Sequence, residues 1–182
     1  MQVITGKYRA RKLIAVDSDE TRPTLARVKE SIFNLIADSI DNSIVLDLFA
    51  GSGSFGIECI SRGARSVVFV DQAEKAIKTI KINTQKMIEN FEIIKSEFKN
   101  ALISLSNRGL KFDLVFLDPP YDSDYAKIAL DLLRKNDLLN DGAIIVVEHK
   151  FANDLQNLPD WYIMKKSKKY GIAYVDVLEY KE

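Results

Sequence analysis

From residue 44 onward, apolar positions come in short, nearly unbroken runs, separated by segments in which they recur every three to four residues. Val45-Leu46-Asp47-Leu48-Phe49, Val67-Val68-Phe69-Val70 and Leu114-Val115-Phe116-Leu117 lack the alternation of a half-exposed strand, as strands covered on both faces require. The pattern predicts strands over 44–48, 66–71, 91–95, 112–118 and 143–148, with helices over 55–61, 73–87, 99–105 and 124–133 between them. Such alternation implies a parallel sheet with helices on both faces. Two further strands, 161–168 and 172–180, follow one another through Tyr170-Gly171 without a helix and read as a C-terminal antiparallel hairpin.

The N-terminal part differs. Alternation over 2–16, broken at Gly6, predicts a short β-hairpin or extended arm, and Leu25, Val28, Ile32, Leu35 and Ile36 mark an amphipathic helix that ends near residue 40. Pro23 holds Arg22 extended just before that helix. The economical division is a basic arm over 1–20 and one α/β domain over 21–182.

Composition adds exclusions. The 182 residues are 47% hydrophobic and 29% charged, an ordinary globular balance, and 26 basic residues cancel 26 acidic ones. A single cysteine forms no internal disulfide, and no His/Cys spacing suggests a metal, so a reducing, cytoplasmic setting is expected with neither metal nor membrane. Charge matters locally: Lys7, Arg9, Arg11 and Lys12 cluster in the arm, and Lys165, Lys166, Lys168 and Lys169 near the C-terminus, where either group has the sign to face phosphates. Cys59 on an apolar helical face reads as core, and His149 as a hydrogen-bonded structural residue.

Candidate chemistry sits at two strand ends. The segment from Asp47 through Phe49, Ala50, Gly51 and Gly53 to Gly56 joins the first strand to its helix, where open α/β sheets bind nucleotide-like ligands. Its glycines also satisfy G-x-G-x-x-G, and Asp71 follows at the distance of a ribose-binding acid, so a dinucleotide stays open on the glycines alone. Asp47 tilts the balance, because a carboxylate there repels a pyrophosphate and suits a cation such as the ammonium of S-adenosylmethionine. Glu97 and Phe98, after the third strand, fall where an adenine edge and face would be met.

The second strand end is Asp118-Pro119-Pro120-Tyr121. Two prolines fix the backbone, so the Pro119 carbonyl and the Asp118 carboxylate can converge on one group with two hydrogens. An exocyclic base amine is such a group, and two acceptors would localise its lone pair toward a methyl donor. Tyr121 would stack on the base, which must be single-stranded or flipped out.

With these pieces, the sequence resembles the bacterial RsmD family, which methylates the N2 amine of a guanine in small-subunit ribosomal RNA. The resemblance runs through Ile4-Thr5-Gly6-Lys7-Tyr8-Arg9, Thr21-Arg22-Pro23-Thr24, Arg27-Val28-Lys29-Glu30, Leu46 to Gly53, Ser61-Arg62-Gly63-Ala64 and Asp118 to Tyr121. It implies a Rossmann-like class I methyltransferase fold with a seven-stranded, mostly parallel sheet, S-adenosylmethionine as cofactor and S-adenosylhomocysteine as product. It further implies Asp118 to Tyr121 as the amine site, Asp47, Gly51, Gly53 and Asp71 as cofactor contacts, and Arg22 and Thr24 at the mouth. The arm would help to hold ribosomal RNA within a small-subunit particle, the protein acting as a monomer. The same tetrapeptide serves adenine-N6 and cytosine-N4 methyltransferases of DNA or RNA, which remain the alternative.

Overall fold

The computed structural model describes residues 1–16, 26–120, 124–150, 155, 157–171 and 173–182. Five strands and five helices alternate: α1 (Ala26–Leu35), β1 (Ile44–Asp47), α2 (Ser54–Ser61), β2 (Ser66–Asp71), α3 (Glu74–Thr84), β3 (Phe91–Lys95), α4 (Phe98–Asn107), β4 (Phe112–Leu117), α5 (Tyr125–Lys135) and β5 (Leu139–His149). The chain closes with β6 (Tyr162–Tyr170) and β7 (Ala173–Tyr180).

The seven strands form one sheet in the order β3-β2-β1-β4-β5-β7-β6. The first five are parallel, whereas β7 runs antiparallel between β5 and β6. The mostly parallel sheet with a C-terminal antiparallel hairpin is the one expected from the apolar runs. Leu46, Val68, Val115 and Val147 pack on one face against Leu102 and Leu105 of α4 and Leu130 and Leu133 of α5. Val45, Phe69, Phe116 and Val146 pack on the other against Ile32 and Phe33 of α1, Ile57 of α2 and Ile80 of α3.

Several boundaries depart from the sequence pattern, among them the end of α1, which stops at Leu35 rather than near residue 40 and is followed by a 3-10 turn over Ala37–Ser39. α3 ends at Thr84 rather than residue 87, because the chain turns there with the Met87 amide bonded to the Thr84 carbonyl at 2.8 Å. β5 starts at Leu139, four residues early, since Phe112 pairs with Leu139 across a register shift that the polar Asn140-Asp141-Gly142 run conceals. The N-terminal hairpin is reduced to one antiparallel bridge, Gln2 with Lys12. This arm is nevertheless fastened to the domain: Val3 and Leu13 are buried beside Phe33 and Ile57. Among the described residues no helix is long and apolar enough to cross a membrane.

β1 and β4 are neighbours, while the chain leaves β1 toward β2 and later returns from β3 to β4. That reversal opens a crevice at the carboxyl ends of the strands, the general ligand position in open α/β sheets.

Candidate active site

β1 delivers Asp47 to this crevice. Its Oδ2 accepts a hydrogen bond from the Gly56 amide at 3.0 Å, which clamps the start of α2 onto the strand end. Between them the loop is held residue by residue. The Ala50 amide bonds to the Val70 carbonyl at 2.9 Å, the Gly51 amide to Asp71 Oδ2 at 2.8 Å, and the Gly53 amide to the Ala50 carbonyl at 2.7 Å. Gly51 and Gly56 serve different purposes. A Cβ at Gly56 would lie 2.3 Å from the Phe69 ring, so that glycine lets α2 lie against β2. A Cβ at Gly51, where φ is +53°, would meet nothing within 4 Å, which leaves the loop's outer side open to a ligand.

Strand register brings four carboxylates together. Asp47 and Asp71 end their strands and Glu148 lies one residue before the end of β5, all on the side of the sheet that carries Val45, Phe69 and Val146. Leu117 pairs with Val147, so Asp118, one residue beyond β4, stands opposite Glu148. In strand order the crevice rim therefore reads Asp71, Asp47, Asp118, Glu148. Asp47 is 3% exposed, and burial pushes its carboxyl up to about 7, with the Gly56 amide opposing and Asp71 adding to the rise. Asp118 is raised well above the usual carboxylate range by burial first and by the negative charges of Glu148 and Asp47 next. These acids form no metal-binding group among the described residues. A positive charge placed among them would favour their ionised forms.

The neighbouring predicted positions are less uniform. Phe49 and Phe98 pack at a tilt of 49° with centroids 5.2 Å apart, and buried Phe98 continues to Tyr125 at 5.1 Å. Glu97 is the N-cap of α4, where its Oε2 accepts from the Lys99 amide at 2.9 Å and the Asn100 amide at 3.3 Å. Pro119 is buried and Pro120 exposed. Tyr121, Arg22 and Thr24 lie outside the described residues.

The arm's basic residues divide into two kinds. Lys7 forms an ion pair with Glu89, which also accepts from the Tyr8 hydroxyl at 2.6 Å, and Arg11 donates to the Asn83 carbonyl at 2.9 Å while lying over the Tyr8 ring. These two cations fasten the arm to the region around α3. Arg9 and Lys12 are exposed and make no side-chain contact among the described residues.

A sheet order with antiparallel β7 inside it departs from the all-parallel 3-2-1-4-5-6 order of dinucleotide domains, which removes the ambiguity left by the glycines. Comparison with known proteins agrees. The model of the family described as Conserved hypothetical protein 95 matches residues 1–179. The chain belongs to this family. It is 38% identical over 179 residues to YlbH of Bacillus subtilis (strain 168), covering 97% of each chain. It is 36% identical over 177 residues to Ribosomal RNA small subunit methyltransferase D of Haemophilus influenzae, covering 96% of this chain and 91% of that one. The yhhF methyltransferase structure from Escherichia coli superposes with a TM-score of 0.89 at 29% identity, over 100% of this chain and 98% of that one. The resemblance to RsmD read from the motifs is thereby borne out.

In this family member, three residues around the site escape sequence reasoning. Glu148 reads from sequence as the end of a buried strand, and only the β4–β5 register sets it against Asp118. Glu58, fully buried on α2, accepts from the amides of Ile4 and Thr5 at 2.8 and 3.0 Å and from Arg62 Nε at 2.9 Å, with Lys29 Nζ at ion-pair distance, 3.2 Å. It welds the arm to α1 and α2. Asn83 on α3 bonds through Nδ2 to the carbonyls of Ser52 and Ile14 at 2.9 and 3.0 Å, and accepts from the Ile14 amide at 2.9 Å. It sits in an ordinary helical pattern, and only its burial, 4% exposed, marks it as more than a surface amide.

Proposed function

We propose that the protein transfers a methyl group from S-adenosylmethionine to the exocyclic N2 amine of a guanine in small-subunit ribosomal RNA. The observation that carries this reading is the row of carboxylates in which Asp118, followed by Pro119, stands between Asp47 and Glu148, set beside a glycine loop whose outer side is open. The residues fit the cofactor, since the crevice gathers carboxyl groups whose charged forms are disfavoured by burial and by one another, and a cationic ligand would favour those forms where a pyrophosphate would oppose them. S-Adenosylmethionine supplies an electrophilic methyl group on a sulfonium and a second positive charge on its ammonium.

The chain's own residues do the rest. Asp47 receives the ammonium side, the Gly51-to-Gly53 loop lies along the ligand, and Asp71 meets the ribose while holding the Gly51 amide. Asp118 and the Pro119 carbonyl accept the two N–H groups of the target amine. That pulls the nitrogen toward tetrahedral geometry and aims its lone pair, an effect realised mainly in the transition state. The bound cofactor would supply the methyl group and keep the sulfur's electron pair as S-adenosylhomocysteine, and the surplus amine proton would leave to water. The ionised form of Asp118 is the stronger acceptor, and the positive charge of a bound cofactor would favour that form against Glu148 and Asp47.

Ribosomal RNA as the polymer is supported by the name of the Haemophilus relative, and guanine N2 by the RsmD motifs. The exposed arm residues Arg9 and Lys12 are available for phosphates. Incubating the protein with labelled cofactor and small ribosomal subunits from cells lacking it, followed by nucleoside analysis, is expected to yield N2-methylguanosine. N6-methyladenosine would overturn the substrate, and no transfer would overturn the activity.

A further inference from the structure

The C-terminal lysines are sorted by the sheet, and the sorting points at the active site. Glu148 pairs with Val175, and Val175 with Lys168, so Asp118, Glu148, Val175 and Lys168 form one row across four strands. One row inward, Phe116, Val146, Val177 and Lys166 are aligned in the same way. Paired residues share a face, and Phe116, Val146, Val175 and Val177 all pack on the side that carries Asp118. Lys166 and Lys168 therefore stand on that side too. Three strand spacings, about 14 Å, separate their backbone from β4.

The other two lysines of the run are spent elsewhere. Lys165 pairs with Glu179 at 2.6 Å, and Lys169, aligned with Tyr174, turns to the opposite face with its ammonium 5.4 Å over the Tyr174 ring. Lys166 has no acid within ion-pair distance among the described residues, and Lys168 reaches only Ser31 Oγ of α1 at 3.5 Å. Ser31 is itself bonded to the Tyr170 hydroxyl at 2.5 Å, which braces this end of the hairpin against α1. The result is a pair of uncompensated cations on a braced edge strand, on the same side as the acidic crevice and in line with it.

We propose that Lys166 and Lys168 form a phosphate-binding edge that holds the RNA backbone flanking the base delivered to Asp118. The inference rests on the RNA methyltransferase reading. A base extruded into the crevice leaves its neighbouring phosphates outside, and the acidic rim repels them. Cations displaced to the sheet edge give the backbone a place to rest without neutralising the carboxylates. A simpler role exists for edge lysines, which keep an open strand from pairing with another chain. Charge reversal separates the two, because glutamate guards an edge as well as lysine does but repels a phosphate.

The test compares wild type, the double variant Lys166→Glu/Lys168→Glu, and Lys169→Glu as a control on the other face, binding to small ribosomal subunits across a salt series. The double variant is expected to stay soluble and bind S-adenosylhomocysteine as wild type does. Its affinity for the subunit should fall at least tenfold, with the slope of log affinity against log salt reduced by about 1.5 to 2. Lys169→Glu should keep the wild-type slope. An unchanged affinity and slope in the double variant, or an equal loss in Lys169→Glu, overturns the inference. A wild-type protein that binds no subunit overturns the underlying reading and the inference with it.

Discussion

The side-chain amide of Asn83 donates to the carbonyl of Ser52 at 2.9 Å, in the middle of the glycine loop. Its second hydrogen goes to the Ile14 carbonyl at 3.0 Å. One side chain thus joins the N-terminal arm to the loop that faces the cofactor, and Ile80 from the same helix packs where Gly53 turns.

Asn83→Asp should loosen that loop. The substitution keeps the shape but sets a carboxylate against two carbonyls and removes both donors. At about 1 kcal/mol per lost hydrogen bond, cofactor affinity should fall roughly ten- to thirtyfold. Isothermal titration with S-adenosylhomocysteine checks this; wild-type affinity in the variant would show that the loop holds its shape without Asn83.

Asp47 makes cofactor binding pH-dependent. Its carboxyl sits at about 7 in the folded protein against 3.8 in the unfolded chain. Between those values the folded state keeps a proton that the unfolded state releases, so the apoprotein loses stability as pH rises through the window. A cationic ligand needs the ionised form, so affinity should rise up to about tenfold per unit from pH 6 toward 7 and level off above 8. Titrations in buffers of different ionisation enthalpy should also show proton release at pH 6. Asp47→Asn is expected to flatten the profile, and a sloping profile in that variant would assign the proton elsewhere.

The two glycines should separate stability from binding. Gly56→Ala forces a methyl into the Phe69 ring, an overpacking that costs about 1–3 kcal/mol and lowers Tm by about 2–4 °C for each of them. Gly51→Ala meets no atom but sets an L side chain at φ +53°, a strain of about 1–2 kcal/mol, so it should lower Tm by a comparable amount, while the Tm gain on adding S-adenosylhomocysteine should shrink sharply. Differential scanning fluorimetry with and without ligand reads both. Equal ligand responses in the two variants would contradict the open side of the loop as the binding surface.

What was legible in the sequence follows from how burial writes itself into residue order. β1, β2 and β4 are covered on both faces, and their unbroken apolar runs gave them away, as did Asp47, Asp71 and Asp118 as the first charges to end such runs. Relations across the sheet leave no such trace. Glu148 acquires its partner through the β4–β5 register, and Lys166 and Lys168 are told apart from Lys165 and Lys169 only by pairing with β7. The arm shows the same limit: Lys7 belongs to a solvent-facing charge run in the sequence, yet Glu89, 82 residues away, holds it. The start of β5 hid because its first residues are those of a turn.

The most direct measurement is methyl transfer by Asp118→Ala and Asp118→Asn to small ribosomal subunits, beside their affinity for S-adenosylhomocysteine. Asp118→Ala removes an acceptor that acts in the transition state and should lower turnover at least a hundredfold, whereas Asp118→Asn keeps an acceptor oxygen without the charge and should lose less. Cofactor affinity should stay within a few-fold of wild type. Turnover within tenfold of wild type in Asp118→Ala, with cofactor still bound, would contradict the assignment of Asp118 as the residue that receives the base amine.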